Sequence, residues 1–255
     1  MRRRFFVENF GAGTAELRGE TAEHLGRVLR AEPGQLYELS DGNSVWLARV
    51  ERVSRAAVAF SLVEQIPVRE SPLQVTLLLS LIKFDRFEWC LEKATELGVY
   101  EIVPLAAARS EKRLVAAAAG RSMRWEKILV EAAQQSRRLR PPSLREVASS
   151  QSLFRDVGAQ HACPEPSRRA APLPAFAKLL LSESPDAPSM REAVGKALDV
   201  RAVALAIGPE GGWTDAEFSA AREAGFLEVS LGRNILRTET AVIAALACLN
   251  FALGE

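Results

Sequence analysis

The sequence predicts an α/β fold: a parallel-sheet domain over residues 71–255, preceded by a small β-rich module over residues 1–70. Three observations carry this. Before Pro67 the apolar residues come in short, half-alternating runs, the pattern of strands with one solvated face. From Leu73 onward, continuous apolar runs such as 75–82 and 202–207 replace them, as expected of strands buried on both faces. Helical patterns lie between those runs, and strands alternating with helices imply a parallel sheet.

In the module, Val45, Leu47 and Val50, then Val58, Phe60 and Leu62, mark two strands. Asp41-Gly42 lies between two such runs and signals a hairpin. Residues 21–29 predict one short helix, with His24 packed inside. Pro67 to Pro72 reads as a linker. In the larger domain, residues 75–82 predict a buried strand and Phe87, Leu91, Ala94 and Leu97 a helix ending at Gly98. A strand over 102–105 and a helix over 123–136 follow. Residues 178–181, 202–207 and 227–231 predict further strands. Thr214-Asp215-Ala216-Glu217 is a capping box opening a helix that stops at Gly225. An apolar helix over 239–252 closes the chain. Residues 158–174 are rich in Pro, Ala and Arg without periodicity and read as an inserted loop, so His161 and Cys163 receive no chemistry.

Composition narrows the function classes. Hydrophobic residues are 48% and charged residues 25%, which excludes disorder as the main state. Three scattered cysteines and two histidines suggest neither a metal site nor a disulfide framework, and fit a reducing, cytoplasmic setting. Glu8 and Asn9 interrupt the opening segment, so it does not read as a signal peptide, and no apolar run is long enough to span a membrane. The formal net charge of +1 hides a division: residues 109–145 hold ten basic and three acidic side chains, a local net of +7.

Open α/β sheets bind ligands beyond the carboxyl ends of their strands. Three segments occupy such positions: Ser182-Glu183, Gly208 to Trp213, and Leu231 to Thr240. The middle one is rich in glycine, which lets backbone approach a ligand closely. It lacks both the dinucleotide and the P-loop pattern, and its Glu210 would repel a pyrophosphate. An uncharged or cationic ligand suits it better. The third segment sets Arg237 and Glu239 against an apolar helix, where charges need partners or a task. A salt bridge between them is the simplest alternative.

The strings IGPEGGW (207–213) and LGRNILRTETA (231–241) resemble the signature loops of the SPOUT class of methyltransferases, and most closely the ribosomal RNA small subunit methyltransferase E family. EHLGRVLR (23–30), EKATELGV (92–99), RWEKILVEAAQQSRR (124–138) and LLLSE (179–183) agree, so the resemblance spans nearly the whole chain. It implies a SPOUT-type α/β domain with a C-terminal trefoil knot, a small N-terminal PUA-like β-barrel, and a homodimer packed through the knotted domain. It implies S-adenosylmethionine as cofactor and methylation of N3 of a uridine in 16S ribosomal RNA, the U1498-type site, within the small ribosomal subunit. No metal and no membrane partner are implied.

Carried onto this sequence, the family pattern puts Leu181, Ser182, Glu183, Gly208, Glu210, Gly212, Leu231, Gly232, Ile235, Leu236 and Thr240 at the cofactor. The chain departs from the pattern at Arg137, where a small residue is expected, at Phe84 and Asp85, and in the 158–174 insertion. The imide N3–H of uridine is a weak acid that must lose its proton to attack a methyl group, so a cation that stabilises the anionic uracil is required, or a general base. Arg237 is the expected cation, with Glu239 orienting it. Arg30, Arg109, Lys112, Arg124, Arg137, Arg138 and Arg140, with Arg113 and Arg121, are the expected RNA contacts. A ribose 2′-O-methyltransferase of the same knotted class, or a non-catalytic RNA-binding assembly factor, are the competing readings.

Overall fold

The computed structural model describes residues 3–68, 71–154, 175–195 and 200–254. The 158–174 insertion, with His161 and Cys163, lies outside the described residues. The chain forms two compact units, Met1–Glu70 with Val130–Pro141, and Ser71–Leu129 with Pro142–Glu255.

The first unit holds a five-stranded sheet built from β1 (Arg4–Phe6), β2 (Thr14–Arg18), β3 (Leu36–Ser40), β4 (Val45–Val53) and β5 (Ala57–Ile66) in the order β1-β3-β4-β5-β2. Among the described residues only the β1–β3 pairing is parallel. The hairpin expected at Asp41-Gly42 joins β3 to β4. Gly42 there has φ +85°, and Asp41 Oδ1 accepts from the Asn43 and Ser44 amides. Phe5, Leu17, Leu25, Leu39, Val50, Val58 and Phe60 are buried together. The single helix expected over 21–29 is instead two pieces, α1 (Gly19–Glu23) and a π-helical turn (His24–Val28). Their inner stripe is Ala22 and Leu25, with Leu29 against it. His24 therefore faces outward and is exposed, which corrects the expectation that it is packed.

Residues 130–141 belong to this unit although the sequence pattern assigns them to the larger domain. The join is polar. Arg4 donates through Nε and Nη2 to Glu38 Oε2, at 3.1 and 2.9 Å, and through Nη1 to the Arg137 carbonyl at 2.5 Å. Ser40 Oγ donates to the Leu139 carbonyl at 2.6 Å. Arg137 sits at φ +56°, left-handed backbone that a non-glycine residue seldom adopts.

In the second unit, β6 (Gln74–Ser80), β7 (Glu101–Ala106), β8 (Ser143–Leu144), β10 (Ala175–Leu181), β11 (Val200–Ile207) and β12 (Leu227–Val229) run in the order β12-β10-β11-β6-β7-β8, and β9 (Ala148–Ser149) also pairs with β7. Among the described residues every pairing is parallel. Its helices include α2 (Phe84–Glu96), α3 (Lys112–Ala118), α4 (Ser122–Gln135, whose residues from Val130 onward fall in the first unit), α5 (Met190–Gly195), α6 (Asp215–Glu223) and α7 (Thr238–Leu253). The continuous apolar runs are buried on both faces, as their composition requires. Leu77, Leu79, Leu205 and Ile207 pack with Phe87 and Leu91 of α2 and Val242, Leu246 and Leu249 of α7. The alternate residues Leu78, Ala204 and Ala206 pack on the other side with Phe154, Trp213 and Phe226. Among the described residues no helix is long and apolar enough to cross a membrane.

Candidate active site

The carboxyl ends of β10, β11 and β12 open onto a cleft of about 770 Å³ in the second unit, within the size range of small-molecule sites. Its walls are the three segments that follow those strands, and hydrogen bonds tie them together. Trp213 Nε1 donates to the Leu181 carbonyl at 3.0 Å, joining the middle segment to the first. Thr238 Oγ1 donates to the Gly208 carbonyl at 3.2 Å, joining the third to the middle. The Ser182 amide donates to the Val229 carbonyl, and its hydroxyl to Glu228 Oε1 at 2.5 Å.

The glycines are required by space and by backbone geometry. A Cβ on Gly208 would stand 3.1 Å from the buried Trp213 ring, and one on Gly211 would stand 3.3 Å from Arg109 Cβ. Gly212 has φ +69°, a conformation costly for other residues. Thr214 then caps α6 with the expected capping box. The Glu217 carboxylate in that box is buried and accepts from the Ala108 amide (2.9 Å), Ser150 Oγ (2.7 Å), and the Thr214 amide and hydroxyl. Burial alone would raise its pKa; the bonds from Ala108, Thr214 and Ser150 outweigh that and hold the carboxyl below its usual range.

Leu181, Ser182, Glu183, Gly208, Glu210, Gly212, Leu231, Gly232, Ile235, Leu236 and Arg237 all line the cleft. Glu239 and Thr240 do not. Each helical residue turns about 100° from the last, so when Thr238 faces the cleft the next cleft-facing residue is Ala241. Thr240 is exposed. Glu239 turns inward, with Oε2 buried and lacking a hydrogen-bond partner among the described residues. Burial and this carboxylate together push the Cys90 thiol up to about 12. Arg237 and Glu239 form no salt bridge among the described residues. Arg237 precedes α7, is exposed, and its side chain makes no ion pair there. Phe218, Arg222 and Glu228 also line the cleft and carry no sequence signal, whereas Trp213, Arg233 and Thr238 line it from within the loop motifs although the family pattern does not put them at the cofactor.

Glu210 does not meet the cleft as a lone charge. Arg86 Nη1 holds its Oε1 at 2.8 Å. The basic segment is also less positive than its sum, because Glu88, outside the 109–145 window, binds both Arg124 (2.7 and 2.8 Å) and Arg121 (3.3 Å). Arg113 pairs with Glu111. Phe84 carries Arg121 over its ring at 4.6 Å and meets Trp125 edge-on, so this departure from the family pattern serves packing. Lys112 is exposed at the start of α3. In the first unit, Arg30 is exposed at φ +52° and Arg140 is exposed, whereas Arg137 lies within 3.7 Å of Glu38. Burial, and then Arg140, lower the Arg138 guanidinium to about 10. No cluster of metal-ligating side chains occurs among the described residues.

Residues 69–250 match the family model of the RNA methyltransferase domain. The chain is 32% identical over 246 residues to the ribosomal RNA small subunit methyltransferase E of Bacillus subtilis, covering 94% of this chain and 91% of that protein. Against the protein of that name from Mycobacterium bovis, it is 31% identical, covering 96% and 90%. A crystal structure of a ribosomal RNA small subunit methyltransferase E from Neisseria gonorrhoeae, bound to S-adenosylmethionine, superposes with a TM-score of 0.83 at 31% identity, covering 100% of this chain and 99% of that one. A putative methyltransferase from Legionella pneumophila, also with S-adenosylmethionine bound, gives the same score, identity and coverage.

Proposed function

The chain belongs to the ribosomal RNA small subunit methyltransferase E family, and from that premise we propose that it transfers a methyl group from S-adenosylmethionine to N3 of a uridine in 16S ribosomal RNA. Its place of action is then the cytoplasm and its partner the small ribosomal subunit.

The cleft fits that cofactor. Leu181, Ile207, Leu231 and Leu236 offer apolar walls for a flat base. Gly212 lines the cleft with backbone alone, and the bare Gly208 leaves room for the Trp213 ring beside it. Glu183 makes no ion pair among the described residues, and a carboxylate suits a cationic amino or sulfonium group. The glycine loop carries neither phosphate-binding sequence pattern. When bound, S-adenosylmethionine supplies a methyl group on a sulfonium centre. Transfer of that kind needs alignment more than covalent help.

The observation that carries the reading is Arg237, a cation facing the same cleft as the glycine loop. Its guanidinium stabilises the uracil anion left when N3 loses its proton. The amino terminus of the sixteen-residue α7 lies at the same point and adds positive potential. Glu239 acts at most through the helix that presents Arg237, given its inward direction.

Three further readings accompany this one. The first unit acts as a PUA-like RNA-binding domain over residues 1–70, supported by its sheet order and exposed Arg30. The knotted arrangement of the C-terminal domain rests on membership of the family. A homodimer is supported by α7, which is almost wholly apolar and leaves Ala247, Cys248 and Phe251 exposed.

The test incubates the protein and labelled S-adenosylmethionine with unmodified small subunits, then identifies the methylated nucleoside by mass spectrometry. 3-Methyluridine is expected. A 2′-O-methylated nucleoside would point to the ribose reaction, and cofactor binding without transfer to an assembly role. Arg237→Ala should abolish transfer while cofactor binding persists; near wild-type rates would remove Arg237 from the chemistry.

A further inference from the structure

Resting on the cofactor reading above, we propose that Arg109 is a positioning residue for the glycine loop, which it holds in the shape that receives the methyl donor. The sequence pattern makes it an RNA-phosphate contact; its bonds assign it elsewhere. Nη1 donates to the Gly211 carbonyl at 2.7 Å. Its aliphatic stem fills the space beside that glycine, where an added Cβ would meet Arg109 Cβ at 3.3 Å and Cδ at 3.4 Å. Both residues are exposed, so this is a close approach at the surface, held by the hydrogen bond.

The turn carrying Arg109 is itself anchored on both sides. The Ala108 amide donates to Glu217 Oε1 at 2.9 Å, and Ser110 Oγ donates to the Leu81 carbonyl at 2.9 Å. Glu217 also bonds Thr214, where the glycine loop ends. A closed circuit results: Glu217 to Ala108, Arg109 to Gly211, and on through the chain to Thr214 and back to Glu217. From the other side Arg86 holds Glu210. Within the loop, the Gly212 amide donates to the Pro209 carbonyl at 2.8 Å.

Fixing the Gly211 carbonyl fixes the peptide plane that leads into Gly212 at φ +69°. A loop held in its binding shape loses less conformational freedom when ligand arrives. A guanidinium suits this task, because a charged donor makes a stronger bond to a carbonyl and its planar fork sets a direction. Lysine supplies the charge without the fork.

The experiment measures S-adenosylmethionine binding to the full-length protein by calorimetry, together with RNA binding at several salt concentrations, for wild type, Arg109→Ala and Arg109→Lys. Losing one charged hydrogen bond of this kind predicts a rise in cofactor Kd of about ten- to a hundredfold for Arg109→Ala. Arg109→Lys should fall between that variant and wild type. The salt slope of RNA binding should not change. Wild-type cofactor affinity in Arg109→Ala, with a salt slope shallower by about one phosphate contact, would overturn the proposal in favour of RNA contact. If Arg109→Ala does not fold, Arg109→Lys decides: unchanged cofactor Kd overturns the proposal. Failure of the wild-type protein itself to bind S-adenosylmethionine would instead overturn the cofactor reading, and this inference with it.

Discussion

Trp213 Nε1 donates to the Leu181 carbonyl at 3.0 Å, so the glycine loop after β11 is bonded to the end of the neighbouring strand β10. The indole is buried and also meets Phe154 edge-on at 5.8 Å. One side chain thus sets the spacing of two cleft walls. Trp213→Phe keeps an aromatic ring but removes the donor and leaves the Leu181 carbonyl short of its partner. The expected loss of stability is about 1–3 kcal/mol, measured by urea denaturation. Weaker binding of S-adenosylmethionine should accompany it. Unchanged stability and affinity together would mean that the bond does not hold the walls.

Gly208→Ala tests the same corner from the other side. The new methyl group would stand 3.1 Å from Trp213 Cε2 and 3.2 Å from Nε1, closer than ordinary contact. Because Trp213 is pinned by its own bond and by packing, the loop must shift instead. Overpacking of this kind costs about 1–3 kcal/mol. Cofactor binding should drop by more than the modest change in melting temperature suggests, since the displaced backbone is a cleft wall. Calorimetry beside a thermal melt separates the two effects.

Glu217 predicts a pH dependence. Its carboxyl lies below the usual range in the folded protein, because the bonds from Ala108, Thr214 and Ser150 outweigh burial. A depressed folded pKa gives stability that is complete above the ordinary glutamate value and drains away as pH falls through the folded value. Melting temperature should therefore fall on the acid side. Glu217→Gln, which cannot titrate, should be less stable near neutrality and should show a flatter acid limb than wild type. Parallel acid limbs in the two proteins would contradict the assignment.

Legibility in the sequence followed the range of the interactions. Strands β6 and β11 are legible because a strand buried on both faces is mostly apolar along its length. The Asp41-Gly42 hairpin and the Thr214 cap are local devices, readable within four residues. What escaped depends on distant partners. Residues 130–141 join the first unit through Arg4, which bonds Glu38 and the Arg137 carbonyl 133 positions away; no local pattern records that. Arg109 stands in a basic run, and no local pattern records its bond to Gly211, 102 positions away. At the cleft, the loop motifs contain most of the lining residues, whereas Glu239 and Thr240 turn away because the helix phase, set by Thr238 and Ala241, is not written in the motif. Glu88 reduces the charge of the basic segment from outside its boundaries, which a windowed count does not register.

The final helix tests the homodimer. A helix that is apolar all round belongs in an interior, yet α7 has only one face against the second unit's core, through Val242, Ala245, Leu246 and Leu249. On the opposite side Phe251 is 96% exposed in the single chain, one turn beyond the exposed Ala247 and Cys248. Leaving such a residue in water forgoes roughly 1.5–3 kcal/mol of burial, which packing against a second copy of the helix would restore. Phe251→Glu should therefore yield a monomer in sedimentation velocity, while leaving the fold intact because the side chain touches no core residue in its own chain. S-adenosylmethionine affinity measured on that monomer then reports whether the cleft needs its partner. A Phe251→Glu protein that still sediments as a dimer would remove α7 from the interface.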